Sequence, residues 1–150
     1  MGAFTWTEGM SVGVPALDAD HRCLVRIIGL LQGADDEEEA HRVIDIVVDT
    51  LVVYCRLHFS REEKVMAACA FPALSVHRAE HAGFAHFVAR LHEQAGATGA
   101  AARAKDLLEY LTAWLRHHIL IQDMAYKAYL TNAATQAAII EPKPQTEHAV

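Results

Sequence analysis

The stretch that decides the fold of this chain is RVIDIVVDTLVVYCRLHFSREEKVM, residues 42–66. Its apolar residues recur at helical spacing and share one stripe with two polar side chains. The stripe consists of Val43, Ile44, Val47, Leu51, Tyr54, Cys55, His58, Glu62, Val65 and Met66. The β-branched middle also fits a strand, but the length of the stretch and the period around it favour a helix over about residues 36–69.

Three further amphipathic helices are predicted around this one, at about residues 16–32, 73–94 and 101–130. Asp18 is a candidate cap for the first helix, and Asp35 with Glu38 has the spacing of a capping box for the second. Four long helices with short links predict an all-α, up-down-up-down four-helix bundle. We expect residues 1–131 to form this bundle with an irregular N-terminal arm, and residues 132–150 to form a short C-terminal tail.

Composition bounds the function. The chain has 150 residues, 53% of them apolar, and a net charge of −6, which indicates one globular domain and argues against nucleic acid and anionic membranes as partners. No apolar run is long enough to cross a bilayer, and the N-terminus lacks the pattern of a signal peptide. We interpret the three scattered cysteines as reduced thiols. Because thiols stay reduced in the cytosol, we expect a cytoplasmic protein.

Five histidines and two acids are the candidate metal ligands, because helical spacing places them on the inward stripes. They are His21, His58, Glu62, His77, His81, His118 and Asp123. Unpaired buried polar groups are costly, and metal coordination would satisfy all seven together. Seven ligands overfill a tetrahedral zinc site but suit two ions that share both carboxylates and keep one position open.

Two placements remain open from spacing alone. His117 and His118 are adjacent, and either could project inward, although His118 shares a face with Trp114. Asp123 follows His118 by five residues, about 140° around an ideal helix, so a locally loosened turn or a different reach of the Asp123 side chain must compensate. We predict a distortion of the helix there, since π-type bulges cluster at functional sites. Glu63 is expected at the surface or beside a ligand.

Several motifs, in this order along the chain, carry a resemblance to a known family. They are FTWTEGMSVGV (4–14), DADH (18–21), HFSREE (58–63), HRAEH (77–81), and WLRHHILIQD (114–123) followed by Tyr126. Together they resemble the hemerythrin family, and the resemblance selects His118 over His117. It implies a non-haem di-iron centre, with two iron ions joined by an oxo or hydroxo bridge, that binds O2 reversibly.

The resemblance also implies a role for each ligand. One iron is expected on His77, His81 and His118, the other on His21 and His58, with Glu62 and Asp123 as bridging carboxylates. The position for O2 is expected on the second iron. An apolar O2 pocket is expected from Phe59, Met66, Phe84, Trp114, Leu115 and Ile119.

Two classes of function follow. The first is a non-catalytic O2-binding protein for oxygen storage, delivery or sensing, whose protein acceptor of O2 is unknown. The alternative is a di-iron enzyme acting on O2, peroxide or nitric oxide, or an iron-supplying repair protein. The complete ligand set and the apolar pocket favour the first. A holder of zinc or another metal is a third interpretation. The core lacks the extra glutamates of ferritin-like di-iron enzymes.

Overall fold

Four long α-helices form a bundle in the computed structural model, which describes residues 4–130. They are α1 (Pro15–Gln32), α2 (Glu37–Ala68), α3 (Leu74–Glu93) and α4 (Ala100–His117). A π-helical turn (His118–Asp123) and the short α5 (Met124–Lys127) continue from α4. Helix α1 packs on α2 and α4, and α2 also packs on α3 and α4. The predicted all-α four-helix bundle is confirmed, and the β-branched centre of α2 is helical. The predicted tail, residues 132–150, lies outside the described residues.

The N-terminal arm is fixed to α1 by Asp18, which was predicted to cap that helix. That prediction is wrong, because the helix begins at Pro15 and Asp18 lies inside its first turn. The carboxylate accepts hydrogen bonds from Ser11 Oγ at 2.6 Å and Val12 N at 2.9 Å. Proline suits the first helical position because that residue needs no N–H donor. Asp18 therefore holds the arm against the bundle.

The start of α2 is capped one residue later than predicted. Asp36, not Asp35, is the cap, and its Oδ1 accepts a hydrogen bond from Glu39 N at 2.8 Å. The next residue, Glu37, reaches the start of α4 and accepts from the backbone N–H groups of Ala100 at 2.6 Å and Ala101 at 2.9 Å. One acidic turn thus satisfies free N–H donors of two helices.

The interior consists of two apolar clusters separated by a polar layer. The upper core includes Leu24, Leu51, Phe59, Phe84, Leu111, Leu115 and Ile119. The lower core includes Val12, Val14, Leu17, Val65, Met66, Phe71 and Tyr126. Along α1, for example, His21 lies between Leu17 of the lower core and Leu24 of the upper core. Within residues 4–130, no helix has the length and apolar character needed to cross a membrane.

Candidate metal centre

The seven predicted donors meet in the polar layer, and each is at most 2% exposed. Two groups can be distinguished by position. The three-histidine set is His77 and His81 on α3 with His118 at the start of the π-helical turn, and the two-histidine set is His21 on α1 with His58 on α2. Glu62 from α2 and Asp123 from the π-helical turn lie between the two sets. His117, by contrast, has a side chain that is 56% exposed, so His118 is the inward histidine of the pair.

Glu62 faces both sets, with one carboxylate oxygen toward each. Its Oε1 lies 2.8 Å from Nε2 of His77, 3.0 Å from Nε2 of His81 and 3.3 Å from Nε2 of His118. Its Oε2 lies 3.3 Å from Nε2 of His58 and 3.6 Å from Nε2 of His21. The two oxygens of one carboxylate therefore point into two different groups of imidazole nitrogens.

Asp123 divides its oxygens in the same way. Its Oδ1 lies 3.1 Å from Nε2 of His77 and 3.1 Å from Nε2 of His118, while Oδ2 lies 3.1 Å from Nε2 of His21. This placement depends on the π-helical turn His118–Asp123, which confirms the predicted distortion. A π-helix repeats its hydrogen bonds every five residues, so residues five apart come to one face.

These contacts do not have the character of a closed hydrogen-bond network. Among the described residues, both nitrogens of His21, Nε2 of His58 and both oxygens of Asp123 have no hydrogen-bond partner despite their short separations. Nε2 of His81 and Nε2 of His118 face each other at 3.2 Å. Two imidazole nitrogens and a carboxylate that converge on one point need a proton or a cation between them. The donor set therefore fits metal ions.

Ligand atoms are also close enough together for coordination. Those of Glu62 and the three-histidine set lie within 4.8 Å of one another, and the same holds for Glu62 and the two-histidine set. Neutral imidazoles and carboxylates suit iron, zinc, copper and nickel. The geometry provides two adjacent groups of ligands that share their carboxylates.

The electrostatics favour positive charge at this place. Burial disfavours the protonated form of His21, but the nearby carboxylates of Asp123 and Glu62 outweigh it and raise its pKa to about 10. Burial likewise opposes protonation of His77, yet the same carboxylates raise its pKa to about 9. Burial also opposes ionisation of Glu62, but the surrounding histidines hold its pKa well below the usual range. Bound cations would take the place of these protons.

The match to a family model decides the family. The model of the hemerythrin HHE cation-binding domain matches residues 12–130, which include all seven donors. This chain belongs to the hemerythrin family. It is 30% identical over 142 residues to the bacteriohemerythrin of Stenotrophomonas maltophilia (strain R551-3), with 91% of this chain and 90% of the relative covered. The myohemerythrin of Riftia pachyptila is 28% identical over 127 residues, with 85% and 93% covered.

A solved structure supports the fold independently. A hemerythrin mutant with a leucine replaced by tyrosine superposes with a TM-score of 0.71 at 23% sequence identity, covering 88% of this chain and 100% of that chain. The hemerythrin family is known for di-iron O2 binding, and the polar layer of this bundle is where such a centre would lie.

Five of the six residues predicted for an O2 pocket lie together on the upper side of the donors. The ring of Phe59 stacks on His81 at 3.9 Å, and that of Trp114 stacks on His118 at 4.1 Å. Phe84 packs on Trp114 at 4.2 Å. Leu115 and Ile119 are each 1% exposed in the same upper core. These side chains form an apolar wall above the histidines.

The structure places Met66, the sixth predicted pocket residue, on the other side of the donors. Met66 is fully buried in the lower core beside Tyr126, whereas Phe59 belongs to the upper core. The reason is its position on α2: Met66 follows Glu62 by one turn, while Phe59 precedes it. Met66 therefore packs below the polar layer.

Acids at the edge of the site hold the outer nitrogens of two histidines. Asp20 lies 2.9 Å from Nδ1 of His58 and also pairs with Arg61 at 2.8 Å. Glu63 lies 3.0 Å from Nδ1 of His81, as its predicted place beside a ligand requires. Such carboxylates fix the tautomer and orientation of a ligating imidazole. Sequence reasoning gave no role to Asp20, although it directly precedes the candidate ligand His21.

Glu80 is a third acid near the site, at 3.7 Å from Nδ1 of His118, which is too far for a hydrogen bond. Sequence reasoning also missed it. Its position next to His81 in the HRAEH motif is the only signal in the sequence that could have found it. As with Asp20, the histidine that it faces does not adjoin it in sequence.

Two buried tyrosines complete the surroundings. Tyr126 donates a hydrogen bond to Oε2 of Glu62 at 3.1 Å and so orients a carboxylate of the site. Tyr54 stacks on His58 with ring centroids 4.6 Å apart, and its hydroxyl has no hydrogen-bond partner among the described residues. Burial, together with the charges of Glu62 and Asp123, raises the pKa of Tyr54 well above 10. Sequence reasoning placed Tyr54 on the inward stripe without assigning it a role.

Proposed function

We propose that this protein binds O2 reversibly at a non-haem di-iron centre, for oxygen storage, delivery or sensing. The three-histidine set would hold one iron and the two-histidine set the other, with Glu62 and Asp123 as bridging carboxylates and an oxo or hydroxo bridge from solvent. The second iron has fewer protein ligands, so the open position for O2 is on the side of His21 and His58.

The observation that carries this proposal is the division of both carboxylates. Glu62 and Asp123 each direct one oxygen to the three-histidine set and the other to the two-histidine set. A single ion would need only one such group of ligands, and a tetrahedral zinc site would leave three of the seven donors without a role. Membership of the hemerythrin family supports iron as the metal.

The protein's own residues favour binding over turnover. Iron, when bound, would supply the electrons that hold O2. Phe59, Trp114 and Leu115 belong to the upper-core wall, and Phe59 lies beside His58 on the open side, with ring centroids 5.8 Å apart. An apolar, water-poor pocket disfavours departure of a charged product and limits access of reductants. The Asp20 and Glu63 carboxylates hold the imidazoles in place while O2 enters and leaves.

The proposal is tested by metal analysis combined with absorption spectra. The metal-free protein, loaded anaerobically with Fe(II), is expected to bind two irons per chain and to change its spectrum on exposure to air. Removal of O2 under argon should restore the first spectrum over repeated cycles. Steady consumption of reductant with rapid conversion to a ferric form would favour the enzyme alternative. Absence of any O2-dependent absorption would contradict both.

A further inference from the structure

We propose that Tyr54 is a ligand-binding residue whose hydroxyl donates a hydrogen bond to a small anion held on the His21 and His58 side of the metal centre. The inference rests on the proposed function, because it takes that side as the open one. The anions concerned are monoanions with a hydrogen-bond acceptor at the free end, and azide is the probe of this class.

The position of the phenol ring carries the first step. Tyr54 and His58 lie one turn apart on α2, and their rings stack at 4.6 Å with an interplanar angle of 21°. The ring of Tyr54 therefore lies against the imidazole of His58, whose Nε2 lies 3.3 Å from Oε2 of Glu62. This contact places the phenol beside the two-histidine set.

The lack of a partner carries the second step. Tyr54 is 7% exposed, its hydroxyl oxygen is buried, and no described residue makes a hydrogen bond with it. A buried hydroxyl left without a partner is unfavourable, and orphan polar groups of this kind are rare in folded proteins. Tyr126, the other buried tyrosine of the site, does have a partner in Glu62. The unpaired donor of Tyr54 thus has a different use.

The surroundings of Tyr54 carry the third step, because its side chain carries a hydroxyl next to the apolar wall. The neighbouring ring is Phe59, whose centroid lies 5.8 Å from that of Tyr54. A phenol carries its proton at neutral pH and can act as a donor. A cavity of about 340 Å³ between α1 and α2 reaches Tyr54 and His58 from the surface, and it is also lined by Asp20 and Arg61. It brings solvent close to the two stacked rings.

The test uses the iron-loaded, diferric protein and its Tyr54→Phe variant, which keeps the ring and removes only the hydroxyl. Azide affinity, measured by optical titration, is expected to fall about tenfold, the effect of one hydrogen bond to a charged acceptor. The vibrational frequencies of bound azide should shift in D2O for the unchanged protein and not for the variant. The matched control is Tyr129→Phe, the same change at an exposed tyrosine that packs on Phe71. It should leave azide affinity unchanged.

A second measurement needs no metal. Because Tyr54→Phe removes an unpaired buried hydroxyl, the melting temperature of the metal-free variant should equal or exceed that of the unchanged protein. A lower melting temperature would overturn the inference, since the hydroxyl would then have a stabilising partner within the chain. Azide affinity within twofold of the unchanged protein, with two irons bound, would also overturn it and leave the proposed function intact. Fewer than two irons in the unchanged protein would overturn both.

Discussion

The apolar wall above the histidines should control how long bound O2 survives, and Leu115→Ala tests this. Leu115 is 1% exposed and lies in the upper core, three residues before His118. Truncation to alanine removes three carbon atoms and opens room for about one water molecule, whose share of liquid volume is about 30 Å³. A water there could give a departing anion one charge-assisted hydrogen bond, worth about 1.5 kcal/mol. We therefore expect autoxidation to accelerate about tenfold.

The control for this prediction is Leu107→Ala, two turns earlier on α4. Leu107 is fully buried in the same upper core, so both variants should lose about 2–5 kcal/mol of unfolding free energy. Autoxidation is followed as decay of the oxygenated absorption spectrum at a temperature where both variants are folded. Only Leu115→Ala should decay faster. Equal rates for the two variants would refute the reasoning, because a general loosening of the bundle would then explain the effect.

Three further predictions follow from the site and the helix ends. His77→Ala should lower the iron content below two per chain, and Glu62→Ala should lower it further because that carboxylate contacts both groups of ligands. Elemental analysis of the purified proteins checks both predictions. Two irons per chain in His77→Ala would contradict the assignment. In the metal-free protein, His21 and His77 have pKa values of about 10 and about 9, both above the ordinary 6.5. Their protonated forms therefore stabilise the fold fully below pH 6.5, and this contribution is lost as pH rises toward 10. Urea unfolding across this pH range should show that the free energy of unfolding declines as pH rises, and that the decline is smaller in His21→Ala. A free energy of unfolding that rises with pH would contradict the prediction. The N–H groups of α4 hold the pKa of Glu37 below its usual range, so Glu37→Gln should destabilise the bundle near neutral pH, with the difference from the unchanged protein shrinking as acid protonates Glu37. A difference that stays constant in acid would count against this bond.

The helices and the donor layer could be predicted because they depend on local periodicity. An inward stripe on α2 fixes the direction of His58 and Glu62 regardless of where the other helices lie. The π-helical turn was predictable for the same reason: His118 and Asp123 are five residues apart, and only a five-residue period brings both inward. Helix caps were harder, since Asp35 and Asp36 are chemically alike and backbone geometry chooses between them.

Contacts between helices could not be predicted from spacing. Asp20 holds His58 on another helix, and Glu80 faces His118 at 3.7 Å, so both placements depend on the relative rotation of helices. Met66 shares its stripe with Tyr54, yet the polar layer separates them, because a stripe specifies the face of a helix and not the position along it. Within residues 4–130, no neighbouring helix brings an acceptor to the hydroxyl of Tyr54, and no sequence pattern shows this.

The central claim is that seven side chains hold two metal ions side by side. Anomalous diffraction at the iron edge, from crystals of the iron-loaded protein, tests it most directly. The account predicts two peaks, one among His77, His81 and His118 and one beside His21 and His58, with Glu62 and Asp123 between them. A single peak, or two peaks away from these side chains, would contradict it.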